Sequence, residues 1–484
     1  MRCRNAASCG LLRLGLALQG LVLTADAAEV SRPNVLILMA DNWAAPHASR
    51  LGDPVVKTPT FDALAERGVL FRNAFCAVPS CAPARAVFVT GLYAHRLGPG
   101  ANLNGTLPAE FTVFPDLLEQ SGYRVGYSGK GWSPGSVEAS RRSRNPAGDK
   151  FPSFEQFLQD QPRSGTPFCF WFSSRNPHVP WTDGQANRAT IDEQAISIPE
   201  YLPDEPETRR DIAGYYAEVE DFDSQCREHL ELLAAAGQSE QTLVIMTGDN
   251  GWQMPRGLAH IYDSGTHVPL VIAGPGVTGP GRIVDSFVGF EDFAPTFAEL
   301  AGVPSPPRFD GVSLCRLLRD PLAVGRDHIF LERERHANVR RGDLCYPVRA
   351  IRTADDMYIR NLRPERGPSG DAEFYYAVGE YGDVDASLTK ELLIAPNRPA
   401  RLEPYFERIF GLRPAEELYD LRTDPDQIHN LAADPAQAET LQRLRAQVET
   451  WMSATGDPRC DPRNDSFDGY PYLGPSRRQQ PAAR

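Results

Sequence analysis

The stretch Pro79–Gly91, PSCAPARAVFVTG, holds a cysteine, a proline two residues on and an arginine four residues on, and runs into a short apolar segment closed by Thr90 and Gly91. Proline lacks an N–H, which costs nothing in the first turn of a helix but breaks a helix interior. Cys81 is therefore expected where a loop becomes a helix, with Arg85 about one turn further on the same face. A helix N-terminus attracts anions. Sulfur, guanidinium and that field together describe an anion site with a reactive group in it. A lone cysteine is otherwise a small buried hydrophobe, so the chemistry depends on what the chain places beside it.

Two further stretches match in kind. Asp41-Asn42 and Asp249-Asn250 each follow an apolar run, Asn34–Met39 and Thr242–Met246. Such runs suit strands buried on both faces, as in parallel sheets. The carboxyl ends of those strands are where ligands collect in open α/β sheets. Carboxylate and amide oxygens are hard ligands suited to Ca²⁺ or Mg²⁺. Either pair alone would read as a turn or a helix cap; two of them, with the cysteine motif between, point to a metal site. Lys130 follows an expected strand, Arg124–Tyr127, and His178 follows another, Phe168–Phe172. On spacing alone Lys130 reads as a solvated lysine, and His178 is undecided.

The elements that would position these residues alternate. Strands are expected at the four runs just named and at Leu270–Ala273. Helices are expected at Phe61–Arg67, capped by Thr58-Pro59 and stopped by Gly68, and at Phe114–Gln120, Glu207–Ala236 and Phe293–Leu300. Strands alternating with helices define an α/β fold with a largely parallel sheet. The character changes after about Arg340. Val348–Arg352, Met357–Leu362 and Glu417–Leu421 read as short antiparallel strands. Pro435–Ala454 carries Leu441, Leu444, Val448 and Trp451 at helical spacing. The expected organisation is a leader at 1–28, a large α/β domain at 29–342 and a smaller C-terminal domain at 343–484.

Composition narrows the class. The 484 residues carry a net charge of −13, which excludes a general attraction to nucleic acid or anionic membrane. If the substrate is anionic, its cationic partners must be gathered locally. Arg2, Arg4 and Arg13 precede or flank the apolar run Leu14–Leu23, and Ala25-Asp26-Ala27 gives a small-x-small cleavage pattern, so the N-terminus reads as a signal peptide and the protein as exported. The run is too short to span a bilayer. Of nine cysteines, Cys3 and Cys9 leave with the leader and Cys81 is set aside for chemistry; export permits disulfides among the rest, with no pairing legible.

The Cys81-x-Pro83-x-Arg85 core with its apolar run and Thr-Gly closure resembles the sulfatase signature. The resemblance extends to PTFDALAERGVLFRNAFCAVPSCAPARA early, CYPVRAIRTADDMYIRNL late and ELYDLRTDPDQIHNLAADP near the end. Within the family it is closest to the N-sulfoglucosamine sulfohydrolase branch and its bacterial relatives. It implies an alkaline-phosphatase-like fold, a large mostly parallel sheet flanked by helices with a small C-terminal antiparallel sheet and helix. It also implies that Cys81 is converted by a maturation enzyme to formylglycine, whose hydrate is the nucleophile. Asp41, Asn42, Cys81, Asp249 and Asn250 would hold a divalent cation, Ca²⁺ with Mg²⁺ as the alternative. Arg85 would hold the formylglycine. Lys130 would neutralise sulfuryl charge, and His178 would bind sulfate or protonate the leaving group.

Four positions depart from the family pattern. Ala84 stands where serine is usual, and Asn42 where a second aspartate is common. Trp132 replaces a histidine that often serves as a base. The cation that often follows Asp-Asn-Gly has Arg256 and His260 as its nearest candidates. Trp132 could instead wall a sugar ring. Tyr346 and Arg349 are expected either near the pocket or as plain packing and surface residues. The substrate implied is a sulfated carbohydrate, with N-sulfated glucosamine first. The compartment is periplasmic or secreted, or lysosome-like in a eukaryote. Two other readings remain open at this point: a phosphomono- or phosphodiester hydrolase of the same fold, and a catalytically impaired glycan-binding homologue.

Overall fold

The Asn34–Met39 run forms the central strand of the molecule in the computed structural model, which describes residues 32–160, 165–181, 190–304, 308–373 and 379–474. The leader expected at 1–28 and the tail from Pro475 lie outside the described residues. In chain order the strands are β1 (Asn34–Ala40), β2 (Gly68–Phe71), β3 (Ala74–Phe75), β4 (Arg124–Gly129), β5 (Asp149–Lys150), β6 (Phe168–Ser173), β7 (Thr242–Gly248), β8 (Leu270–Ala273), β9 (Arg282–Val284), β10 (Val288–Gly289), β11 (His328–Arg333), β12 (Val348–Thr353), β13 (Asp356–Asn361) and β14 (Glu416–Asp420). Eight of them make one sheet in the order β5-β4-β6-β1-β7-β8-β2-β9. Every pairing in it is parallel except those of β8, which runs antiparallel to both β7 and β2.

Both faces of β1 are buried, which is why its sequence is continuously apolar from Val35 to Ala40 rather than alternating. Val35, Ile37 and Met39 join a core that includes the Cys81–Thr90 and Phe293–Leu300 helices. Leu36, Leu38 and Ala40 face the Pro59–Arg67 helix and the long Pro206–Ala235 helix. Each of these valine, leucine, isoleucine and methionine side chains contributes about 1.5–3 kcal/mol by leaving water. The Cys81–Thr90 helix is buried at every residue. Phe88 anchors it, with ring contacts to Phe114, Trp171, Phe290, Phe293 and Phe297. Gly91 ends it at φ 69°, and a Cβ there would lie 2.8 Å from the Phe309 ring, so a left-handed glycine is needed for the stop.

Thr58 does not cap the Pro59–Arg67 helix. Its hydroxyl accepts from the Ser49 N–H, while the Asp223 carboxylate of the long helix accepts from the Thr60 and Phe61 N–H groups at 2.9 Å each. A remote acid can satisfy the free N–H groups of a helix start as well as a local hydroxyl can.

The smaller sheet is antiparallel in the order β11-β12-β13-β14. One face, with Ile351, Tyr358 and Leu418, is covered by Leu444, Val448, Trp451 and Met452 of the Ala438–Thr455 helix. The other, with Leu331, Val348, Ala350 and Ile359, packs on Phe75, Tyr262 and Phe287. Its first strand, β11, lies upstream of the boundary expected at 342–343. Pro33–Arg484 forms one compact unit. Among the described residues no helix is long and apolar enough to cross a membrane, and the seven described cysteines are all free.

Candidate active site

The register of the large sheet brings four strand ends level. Met39 lies opposite both Ser173 and Thr247, Ala40 opposite Gly248, and Gly129 opposite Ser173. The residues that follow, Asp41-Asn42, Lys130, Asn176–His178 and Asp249-Asn250, therefore emerge at one edge, where the Cys81–Thr90 helix begins. Local conformation completes the arrangement. Asn42 adopts φ 74°, which asparagine tolerates better than most residues, and this aims its N–H at Asp249 Oδ1, 2.8 Å away. Gly129 has φ 78°; a Cβ there would fall 2.0 Å from the Ser173 carbonyl, which accepts the Lys130 N–H.

Cys81 is the first residue of its helix, and its Sγ lies 3.5 Å from Asp41 Oδ1 and 3.6 Å from both Asn42 Oδ1 and Asn250 Nδ2. Arg85, one turn on, donates from Nε to Asp249 Oδ2 at 2.8 Å and from Nη1 to the Gly131 carbonyl and the Ser173 hydroxyl. Lys130 Nζ donates to both oxygens of Asp41, at 2.6 and 2.7 Å. Burial alone would raise the Asp41 carboxyl; the charges of Lys130, His178 and Arg85 outweigh it and bring it to about 2. Asp249 moves the other way: burial and the Asp41 charge push it up against the pull of Arg85. Burial, reinforced by Asp249 and Asp41 and opposed by Lys130, pushes the Cys81 thiol far above its ordinary range.

The donor set fits a hard divalent cation. Ligand atoms of Asp41, Cys81 and Asp249 all lie within 4.8 Å of one another. Buried beside them, Asn42 Nδ2 and Asn250 Oδ1 have no partner. Amide oxygen and nitrogen are interchangeable by a flip of the side chain, so Asn250 can turn its oxygen to the cluster. Two carboxylates and two amide oxygens suit Ca²⁺ or Mg²⁺, and a cation held by these residues would offset the Asp41 charge that adds to burial in raising Asp249.

His178 donates from Nδ1 to the Val179 carbonyl at 2.6 Å, which leaves Nε2 3.4 Å from the Gln253 amide nitrogen. Gln253 is itself fixed: its Oε1 accepts the Val179 N–H at 2.7 Å and its Nε2 donates to Asp385. Asp41, Lys130 and His178 line a cavity of about 530 Å³ together with Lys150, Arg175 and Glu218. A larger cavity of about 630 Å³, between β13 and the Ala438–Thr455 helix, holds none of these groups.

None of the five residues considered for the substrate, Trp132, Arg256, His260, Tyr346 and Arg349, lines this cavity. Trp132 is 1% exposed and belongs to the core; a Cβ at Gly135 would fall 2.4 Å from its ring, so the loop closes over the indole and leaves no face for a sugar. Arg256 is buried against the Tyr262 ring, 3.7 Å from its centroid, and donates to the Asp426 and Gln427 carbonyls, closing that turn. His260 pairs with Ser369 Oγ at 3.1 Å, and burial pushes it well down. Tyr346 lies between the Arg333 and Arg340 guanidiniums and donates to Asn361 at 3.1 Å. Arg349 is fully buried and paired with Glu334 and Asp457. Gln253, Asp385, Lys150 and Arg175 carry no local sequence signal. Nor does His336, whose Nδ1 meets the Ser80 hydroxyl at 2.9 Å beside Cys81.

A mostly parallel α/β sheet thus gathers an acid-and-amide cluster, a lysine and an arginine at its carboxyl edge, a set of groups able to hold a cation and an anion together. The family profile described as Sulfatase matches residues 33–139 and 148–303. This chain belongs to the sulfatase family. It is 28% identical over 452 residues to an ulvan-active sulfatase of Formosa agariphila (strain DSM 15362 / KCTC 12365 / LMG 23005 / KMM 3901 / M-2Alg 35-1), covering 90% of this chain and 83% of that one. It is 28% identical over 451 residues to N-sulphoglucosamine sulphohydrolase of Homo sapiens, covering 82% and 85%. Its fold matches, at a TM-score of 0.61 and 18% identity over 90% of this chain and 100% of the other, the structure of BT4656 in complex with its substrate D-glucosamine-2-N,6-O-disulfate. The fold is the alkaline-phosphatase-like one of sulfatases.

Proposed function

We propose that this protein removes sulfate from a sulfated carbohydrate, with an N-sulfated glucosamine as the first candidate and an O-sulfated sugar as the second. The observation that carries the reading is the convergence of Asp41, Cys81 and Asp249 within 4.8 Å, with Lys130 and Arg85 on the two carboxylates, in a chain of this family. The relatives named above supply the substrate class.

Asp41, Asn42, Asp249 and Asn250 are the residues that would hold the cation. When bound, it would add positive charge where sulfuryl oxygens gather, and conversion of Cys81 to formylglycine would supply a hydroxyl nucleophile. As a thiol, Cys81 is buried and held neutral, and a neutral thiol is a weak nucleophile. Arg85 locks Asp249 and the first turn of the helix, so position 81 has one orientation. Lys130, 11% exposed and fixed by Asp41, holds a charge at the cavity floor, where it stabilises negative charge growing on oxygen. His178 presents Nε2, with Nδ1 committed to a carbonyl, and in the imidazolium form, with a proton on Nε2 as well, it would bind sulfate or deliver that proton to the leaving oxygen or nitrogen. It is the one histidine lining the cavity among the described residues. The leader expected at 1–28 supports export to a periplasmic, secreted or lysosome-like location.

The test offers N-sulfated and 6-O-, 3-O- and 2-O-sulfated saccharides and follows sulfate release, with an aryl phosphate alongside. Release from the N-sulfated sugar supports the first candidate. Release from O-sulfated sugars alone rejects the sulfamate and keeps the sulfatase. Phosphoester cleavage with no sulfate release from any sugar rejects both.

A further inference from the structure

The cavity at the carboxyl edge of the large sheet has more cationic groups than one sulfate needs. Its charged lining is Asp41, Glu218, Lys130, Lys150 and Arg175. Lys130 is paired with Asp41. Glu218 is buried and accepts from Asn176 Nδ2 at 2.6 Å. Lys150 and Arg175 are exposed, and among the described residues neither makes an ion pair or a side-chain hydrogen bond. Asp149, the carboxylate next to Lys150, is taken by Arg144 at 3.1 Å.

These two cations come from separate elements. Lys150 ends β5, the edge strand, and pairs in register with Tyr127 of β4. Arg175 lies just beyond β6, and its carbonyl accepts the His178 N–H at 2.9 Å, so its backbone is tied to the catalytic turn. In a chain of net charge −13, a cavity lined by three cations against two carboxylates is a local reversal of the overall field. A guanidinium offers a planar fork to a carboxylate or sulfate, and an ammonium offers a point charge.

We infer that Lys150 and Arg175 form a subsite for a second anionic group, a carboxylate or a further sulfate, carried by the same saccharide whose target sulfate goes to Lys130 and the Asp41–Asp249 cluster. The inference rests on the function proposed above and names its substrate class more narrowly: a polyanionic glycan rather than a singly sulfated neutral sugar. The subsite sets specificity and takes no part in bond breaking. Exposed ion pairs are individually weak, so losing both cations should weaken binding roughly five- to tenfold.

The experiment compares wild type with Lys150→Ala, Arg175→Gln and the double variant. Four probes are used: a small aryl sulfate, a singly sulfated neutral monosaccharide, a singly sulfated disaccharide carrying a uronate carboxylate, and a disulfated saccharide lacking a carboxylate. The expected result is that the double variant loses roughly five- to tenfold more kcat/KM on a doubly charged probe than on the aryl sulfate, through KM, and that this excess loss shrinks at high salt. Excess loss confined to the uronate probe assigns a carboxylate, and loss confined to the disulfated probe assigns a sulfate. Equal loss on all four probes, or none on any, overturns the subsite while leaving the sulfatase reading intact. Should no probe be hydrolysed by wild type, the sulfatase reading fails instead. Calorimetric affinities of the same probes then decide the subsite by the same differential.

Discussion

Arg85 Nε donates to Asp249 Oδ2 at 2.8 Å, and neither side chain is reached by solvent. Asp249 uses its other oxygen on the Asn42 N–H, so a single carboxylate ties the cysteine-bearing helix to the ends of β1 and β7. A buried pair of this kind adds little net stability relative to apolar groups, but removing one partner strands the other charge. Arg85→Met should therefore destabilise the protein by about 3–5 kcal/mol. The double change Arg85→Met with Asp249→Asn should recover a large part of that loss. Urea denaturation of the three variants measures both. A double variant no more stable than Arg85→Met would show that Asp249 is not left stranded.

Metal binding should couple to stability through the same carboxylate. Ligand that binds only the folded state at a hundred times its Kd adds about 2.7 kcal/mol. After exhaustive chelation, added Ca²⁺ should raise Tm in wild type, and Asp249→Ala should abolish the shift and turnover together. Asn42→Asp places a carboxylate where an amide stands, so its shift should appear at lower Ca²⁺. Elemental analysis showing no divalent metal, with turnover surviving chelation, would remove the cation from the site.

The sheet and the site floor were legible because their signals are local. A strand buried on both faces leaves a continuous apolar run, as in β1 and β7, and the site acids follow such runs directly in sequence. The reversed direction of β8 left no such mark, since its four buried residues read like any other run. Strand β11 was hidden for the opposite reason: Glu332 and Arg333 end it with charges that are nonetheless buried. The partners of the cations are not legible wherever pairing is remote. Arg349 finds Asp457 108 residues away, which no local pattern reveals. Gln253 reaches Asp385, and Lys150 and Arg175 share one cavity, only because segments far apart in sequence return to one place.

Trp132 gives a direct test of that distinction. The family often carries a base at this position, yet here the side chain is core. Trp132→Ala should cost about 3–5 kcal/mol by opening a cavity. Trp132→Phe should cost less and retain turnover per folded molecule. If Trp132→Phe folds normally and loses turnover by orders of magnitude, the indole contributes to the chemistry after all.

Position 81 should carry formylglycine in active protein. A tryptic digest of active material should yield the peptide around position 81 with an aldehyde, trappable by a hydrazine reagent, in proportion to specific activity. Fully active protein in which that peptide is solely unmodified cysteine would rule the nucleophile out. Cys81→Ala should keep the fold, since the site is small and its helix is held by Arg85 and Phe88, and should abolish turnover.

Away from the site, His47 predicts how stability follows pH. Burial, only partly offset by Asp53, pushes it down to about 4, and its Nδ1 faces the Tyr215 hydroxyl at 3.2 Å with the Trp252 ring alongside. The folded protein thus keeps His47 neutral, while the unfolded chain takes up a proton below about 6.5. Between those two values the unfolded state binds more protons, so stability falls as pH drops from about 6.5 to 4 and the contribution levels off below that. The slope for one such group approaches about 1.4 kcal/mol per pH unit, on the order of 3 kcal/mol in all. His260 and His336, also pushed down by burial, add to the same loss. Melting temperatures at pH 7 and pH 5 should therefore differ in wild type, and His47→Gln, which cannot take up the proton, should narrow that difference without removing it. An unchanged difference in His47→Gln would mean that this histidine titrates alike in both states.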